Sequence, residues 1–172
     1  HEVLLAAGTP AVLHRWNGRA LEEVGRLGEG GIWELVRFGE HVVAAAGPPA
    51  ALYRLGERGF ERWVELPDVH ARSLVVMGDR LLVGTSGRGL VLAVDPRGRV
   101  GLVVDSAFTE ISDLVATPEG ELWAAALVGE PAPPKGLNDG SSGGGGGSGS
   151  GKETSSAAVD LDLPKVNGAT AT

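Results

Sequence analysis

The feature that most constrains this chain is an internal period. "VLLAAG" (3–8) reads against "VVAAAG" (42–47) at an offset of 39 residues. Val42 stands 39 residues before Leu81, which heads "LLVGTS", and Leu81 stands 41 before Leu122, which heads "LWAAAL". The two extra residues fall in the loop around "DSAFTE". Two further registers agree. "GIWELVRFGE" (31–40), "HARSLVVMGD" (70–79) and "EISDLVATPEGE" (110–121) align on Leu35, Leu74 and Leu114. "LHRWNGR" (13–19), "LYRLGERG" (52–59) and "LAVDPRGR" (92–99) align in the same way. A fixed period of this size marks one supersecondary unit, repeated, that buries its faces against its neighbours.

Each unit reads as four short strands. The clearest copy gives "RSLVVM", "DRLLVGTS", "GLVLAVD" and "RVGLVVD", separated by "GD", "GRG" and "DPRG". Pro presets φ, Asp bonds back to the backbone and Gly accepts a positive φ, so the joints are turns. Short apolar and β-branched runs between such joints are strands. "ALEEVGRL" (20–27) comes closest to a helix, but its counterpart is "RVGLVVD", so it is read as a strand. Four strands per unit and a period near 40 are the signature of β-propeller blades.

The expected fold is therefore all-β: a β-propeller fragment of about three four-stranded antiparallel blades. Residues 1–30 supply a partial blade, 31–69 and 70–109 two full blades, and 110–128 another partial one. Closed propellers need about four to eight blades. The expectation is thus a part of a larger propeller, with an arc completed by self-association as the alternative. Residues 129–172 contain "PAPP" and "SSGGGGGSGSG" and have little to bury, so they are expected to form a flexible, disordered Gly/Ser/Pro-rich tail or linker.

Composition narrows the function classes. The 172-residue chain carries a net charge of −7, a poor footprint for nucleic acid or an anionic membrane surface. Cysteine is absent, which removes disulfides and thiolate metal sites. The apolar runs are far shorter than a membrane span. The chain opens on His1, which reads as a processed chain or a fragment.

The stretches "SLVVMGDRLLVGTSGRGLVLAVDPRGRV" and "ISDLVATPEGELWAAAL" resemble the bacterial propeller repeats of the NHL, YVTN and lactonase-type families. "VGTSGRGL" and Trp123 in "GELWAAA" also resemble the propeller repeats in sensor ectodomains of two-component regulators. The resemblance covers 1–128 and implies a periplasmic or extracellular setting. The leading expectation is a non-enzymatic binding scaffold for a protein or small-molecule ligand. The alternatives are an extracytoplasmic sensor module and a metal-dependent lactonase-like hydrolase. Fold-level likeness alone does not decide among them.

Sites on propellers usually line the central channel, at the starts of the innermost strands. The candidates there are Trp33 and Glu34, Arg72 and Ser73, and Ser112 and Asp113. Glu34 and Asp113 are equivalent carboxylates two blades apart, candidates for a hard, oxygen-liganded cation such as calcium. The plainer reading makes them solvated strand starts, and no cofactor is expected. Lactonase-type enzymes also use an Asn ligand, whereas Asn17, Asn138 and Asn167 lie away from inner-strand starts. No catalytic residue is assigned. His1, His14, His41 and His70 lack metal-ligand spacing and are expected at the surface, His41 and His70 at turns. Ser86 lies in "TSGRG", which resembles a phosphate nest, yet no helix follows it, so a hairpin turn is expected. Trp16, Trp33, Trp63 and Trp123 fall in different registers and are expected mostly in blade packing.

Overall fold

A computed structural model describes residues 3–128. The expected tail over 129–172 lies outside the described residues. Among those described there is no helix; thirteen strands are joined by turns. Antiparallel neighbours follow one another in the chain, as short connections demand.

The first sheet holds β1 (Val3–Ala7), β2 (Val12–Trp16) and β3 (Leu21–Arg26), so "ALEEVGRL" does form a strand. The second holds β4 (Gly31–Phe38), β5 (His41–Gly47), β6 (Ala51–Gly56) and β7 (Gly59–Glu65) in that order. The third starts with β8 (His70–Met77), β9 (Arg80–Ser86), β10 (Leu90–Val94) and β11 (Val100–Asp105). It also takes in β12 (Glu110–Ala116) and β13 (Leu122–Leu127), making six strands. The sequence suggests separate units on either side of residue 110. The structure joins them through one residue pair, Glu110 with Ser86, where the start of β12 meets the end of β9.

Pairing registers repeat along the chain. β4 slips against β5 between Ile32 and Glu34, β8 against β9 between Ala71 and Ser73, and β12 against β13 between Ile111 and Asp113. Each slip is a β-bulge, which leaves one residue unpaired and bends the strand there. The unpaired residues are Trp33, Arg72 and Ser112. The outer pairs β6/β7 and β10/β11 slip as well, at Leu52/Tyr53 and Val91/Leu92.

Alternation along each strand sends apolar side chains to both faces, so each sheet must be covered twice. One core lies between the second and third sheets: Val43, Ala45, Leu52 and Val64 meet Leu74, Leu81, Val83 and Leu92. On the other face of β8–β11, Leu82, Val91 and Ala93 meet Ile111, Leu114 and Leu122. A third core joins Ala11 and Leu27 to Ala46 of the second sheet. Small residues permit this closeness. A Cβ at Gly84 would lie 2.7 Å from Ile111 Cγ2 and would overlap Ser73 Oγ.

Gly84→Ala should lower stability by about 1–3 kcal/mol, the usual cost of overpacking. Gly101→Ala should be neutral, because no atom lies within 4 Å of the added carbon. Denaturant unfolding of both variants measures the contrast. Equal midpoints would show that the seam at β12 is looser than described.

Candidate functional site

The bulges bring together one end of the first strands of successive sheets. Arg72, the unpaired residue of β8, lies over the Trp33 ring with its guanidinium carbon 4.1 Å from the centroid. A cation over an indole face is held by the ring quadrupole. The same guanidinium donates through Nε to Glu110 Oε1 at 3.1 Å, and its Nη2 stands 3.1 Å from the same oxygen as an ion pair. Ser86 Oγ donates to the other carboxylate oxygen at 3.0 Å. His70 stands edge-on to Trp33 with centroids 5.5 Å apart, and its Nδ1 is buried without a hydrogen-bond partner. Trp33 is 48% exposed, so the cluster opens to solvent.

His70 and Glu110 are not among the candidates drawn from the sequence. They were legible as a register: His70 and Glu110 begin β8 and β12, as Gly31 begins β4. The expectation that His70 is a plain surface turn residue is corrected. It opens a strand and is half-buried against Trp33, because the bulge turns the indole toward it. His41 also opens a strand, β5, but is exposed.

The residues after the bulges do different work. Glu34 Oε2 accepts the Leu74 amide at 2.6 Å, tying β4 to the next sheet. Ser73 Oγ donates to the Ile111 carbonyl at 3.4 Å and is 1% exposed, which removes it from any open site. Asp113 Oδ1 accepts the amide of its neighbour Leu114 at 2.9 Å. Ser112 Oγ donates to the Ala125 carbonyl at 3.2 Å. Burial raises the Glu34 carboxyl above its ordinary value of 4.5; the Leu74 amide opposes this and the Asp113 charge adds to it. Glu34 thus lies in the field of Asp113, and each carboxylate spends an oxygen on a backbone amide. Among the described residues, no group of three or more His, Asp or Glu side chains is placed to hold a metal ion.

The "TSGRG" turn connects β9 to β10. Its anion place is taken by the protein's own Asp68, whose carboxylate accepts the Arg88 amide at 3.1 Å and the Val69 amide at 2.7 Å. Thr85 Oγ1 donates to the same carboxylate. Gly87 has φ +123° and packs on Asp68, so the turn depends on glycine there. The expected packing role of the tryptophans holds for Trp63, which lies against the main core. It is corrected for Trp16 and Trp123, which are exposed on faces that no described residue covers, and for Trp33, which is half-exposed at its bulge beside Arg72 and His70.

A concavity of about 370 Å³ lies at the opposite end of β4 and β8, lined by Phe38, His41, Arg54, Val76 and Pro96 among others. Arg54 lies 3.7 Å above Trp63 and donates to the Pro96 carbonyl at 3.0 Å. That geometry latches β6 to the β10–β11 turn.

No family model and no curated protein matches this chain. Among solved structures, the crystal structure of the computationally designed Ika4 protein is similar at 13% identity and a TM-score of 0.46, covering 72% of this chain and 85% of that one.

A raised carboxyl pKa disfavours the charged form in the folded state. Between the ordinary value and the raised one, the native state binds more protons than the unfolded state, so stability falls as pH rises. Glu34→Gln keeps the oxygen that faces Leu74 and removes the charge. The variant should melt above wild type at pH 7, and the two should converge below the ordinary value of 4.5. Thermal unfolding across that range decides it; a wild type more stable at pH 7 would reverse the assignment.

Proposed function

We propose that this chain is a non-enzymatic binding module built on propeller-like blades, with its ligand seated on the Trp33–His70–Arg72–Glu110 cluster. One observation carries the reading. Arg72 is held over an indole and fixed by a carboxylate, at the end where the first strands meet. A guanidinium pinned on two sides is a pre-organised donor, and pre-organisation lowers the ordering cost of binding. The repeating bulges at Trp33, Arg72 and Ser112 and the stacked antiparallel sheets support the propeller architecture. So do the bacterial repeat families that the sequence resembles, which also favour a setting outside the cytoplasm.

The chemistry of the cluster suits a ligand with a planar ring and a carboxylate. The ring takes the half-exposed Trp33 and the His70 edge. The carboxylate takes the Arg72 donors that Glu110 leaves free, since guanidinium carries five N–H groups. The hydrolase reading has less support, because Glu34 and Asp113 are committed to the Leu74 and Leu114 amides.

The test is a titration with simple aromatic carboxylates, benzoate and phenylpropionate, followed by NMR on the full chain. The Trp33 indole and Arg72 Nε resonances should move. Trp33→Ala or Arg72→Gln should weaken the response at least tenfold while leaving the backbone spectrum folded. Shifts confined to other residues, or none at millimolar ligand, would overturn the proposal.

A further inference from the structure

Two sheet faces stay uncovered among the described residues, and they are counterparts of faces that the molecule buries elsewhere. On β12–β13, pairing places Asp113 opposite Ala125 and Val115 opposite Trp123. One face of this pair, with Ile111, Leu114 and Leu122, is packed on β8–β11. The other carries Val115, Trp123 and Leu127, and Trp123 is 57% exposed. The same cross-strand position is Val75 with Leu82 in the third sheet and Val36 with Val43 in the second. Both of those pairs lie in seams between sheets.

The first sheet shows the converse. Its inner face, through Ala11 and Leu27, meets the second sheet. Pairing puts Val3 opposite Trp16 and Trp16 opposite Leu21 on the outer face, with Leu5 alongside. Leu21 is 56% exposed. The corresponding pair on the second sheet is Leu55 with Phe60, and Phe60 packs in the seam against the first sheet. One open face is therefore the kind that presses forward on a neighbour, and the other is the kind that receives one.

We propose that a second copy of this chain covers these faces, with β12–β13 of one copy docked on the outer face of β1–β3 of the next. The contact continues the seams already present within the chain. It is heterologous, because two different faces meet, so it closes into a ring or extends as a stack according to the rotation between copies. The surface differs from the Trp33–Arg72 cluster, and the proposal does not depend on what that cluster binds.

Sedimentation or light-scattering mass of the full chain tests this, using Trp123→Glu and Leu5→Glu. Both positions are exposed, so the charges should leave the fold intact; Leu127→Lys and Leu21→Lys serve as replicates if circular dichroism shows otherwise. The wild type should exceed the monomer mass, and each variant alone should be a monomer. An equimolar mixture should give a dimer that does not grow, because each variant keeps one good face, and together these make a single contact. A monomeric wild type would overturn the proposal, as would a variant that still self-associates or a mixture that stays monomeric.

Discussion

The structure depends on the mutual burial of sheet faces. A single antiparallel sheet of short strands is marginal in water, because strand pairing alone leaves both apolar faces wet. Here the second sheet offers Val43, Ala45 and Leu52, and the third answers with Leu81, Val83 and Leu92. Full burial of one such side chain contributes about 1.5–3 kcal/mol. The seam is sustained over several residues, and it repeats on the far side of the third sheet. Turn chemistry and strand register serve that contact. Alanine and glycine in β5 and β9 follow from it, since branched side chains in those places would hold the sheets apart.

The bulges reconcile two demands on the first strands. A strand buried in a seam alternates strictly, whereas a strand that also lines an open end must aim a polar residue out of the seam. One unpaired residue bends the strand and re-aims its neighbours. Trp33 and Arg72 come together by that route although 39 residues separate them. The residues just after the bulge return to seam duty, where Glu34 and Ser73 bond across to the next strand. Adjacent positions thus divide into exposed and structural roles that no composition rule distinguishes.

This division explains what was legible in the sequence. The strands were, including Leu21–Arg26 against its helix-like composition, because its counterpart "RVGLVVD" (99–105) is plainly a strand. Trp33 and Arg72 could be placed at inner-strand starts by alignment. Their stacking could not, because a bulge is one residue of register slip and leaves little trace in apolar alternation. His70 and Glu110 escaped for a related reason: each stands at the first position of its strand, where the sequence resembles loop. The tryptophans misled because a large apolar residue predicts burial only when its face is covered. Trp63 has a seam to enter, and Trp123 does not.

The Arg72–Glu110 pair also sits at the one residue pair that joins β12 to the third sheet, Glu110 with Ser86. Its side chains are partly buried, at 27% and 19% exposure. Breaking an ion pair in such a place strands a charge that water reaches poorly, which costs more than the pair contributes when intact. A ligand that displaced Glu110 from Arg72 would bear that cost and loosen the junction between strands. A ligand that adds to the pair, using guanidinium donors that Glu110 leaves free, bears none of it. On the proposed binding reading, the cluster would discriminate by geometry as well as charge. Anions that approach along the Trp33 face would be favoured over those that must replace the carboxylate already present, so small anions without a planar group would gain least from it.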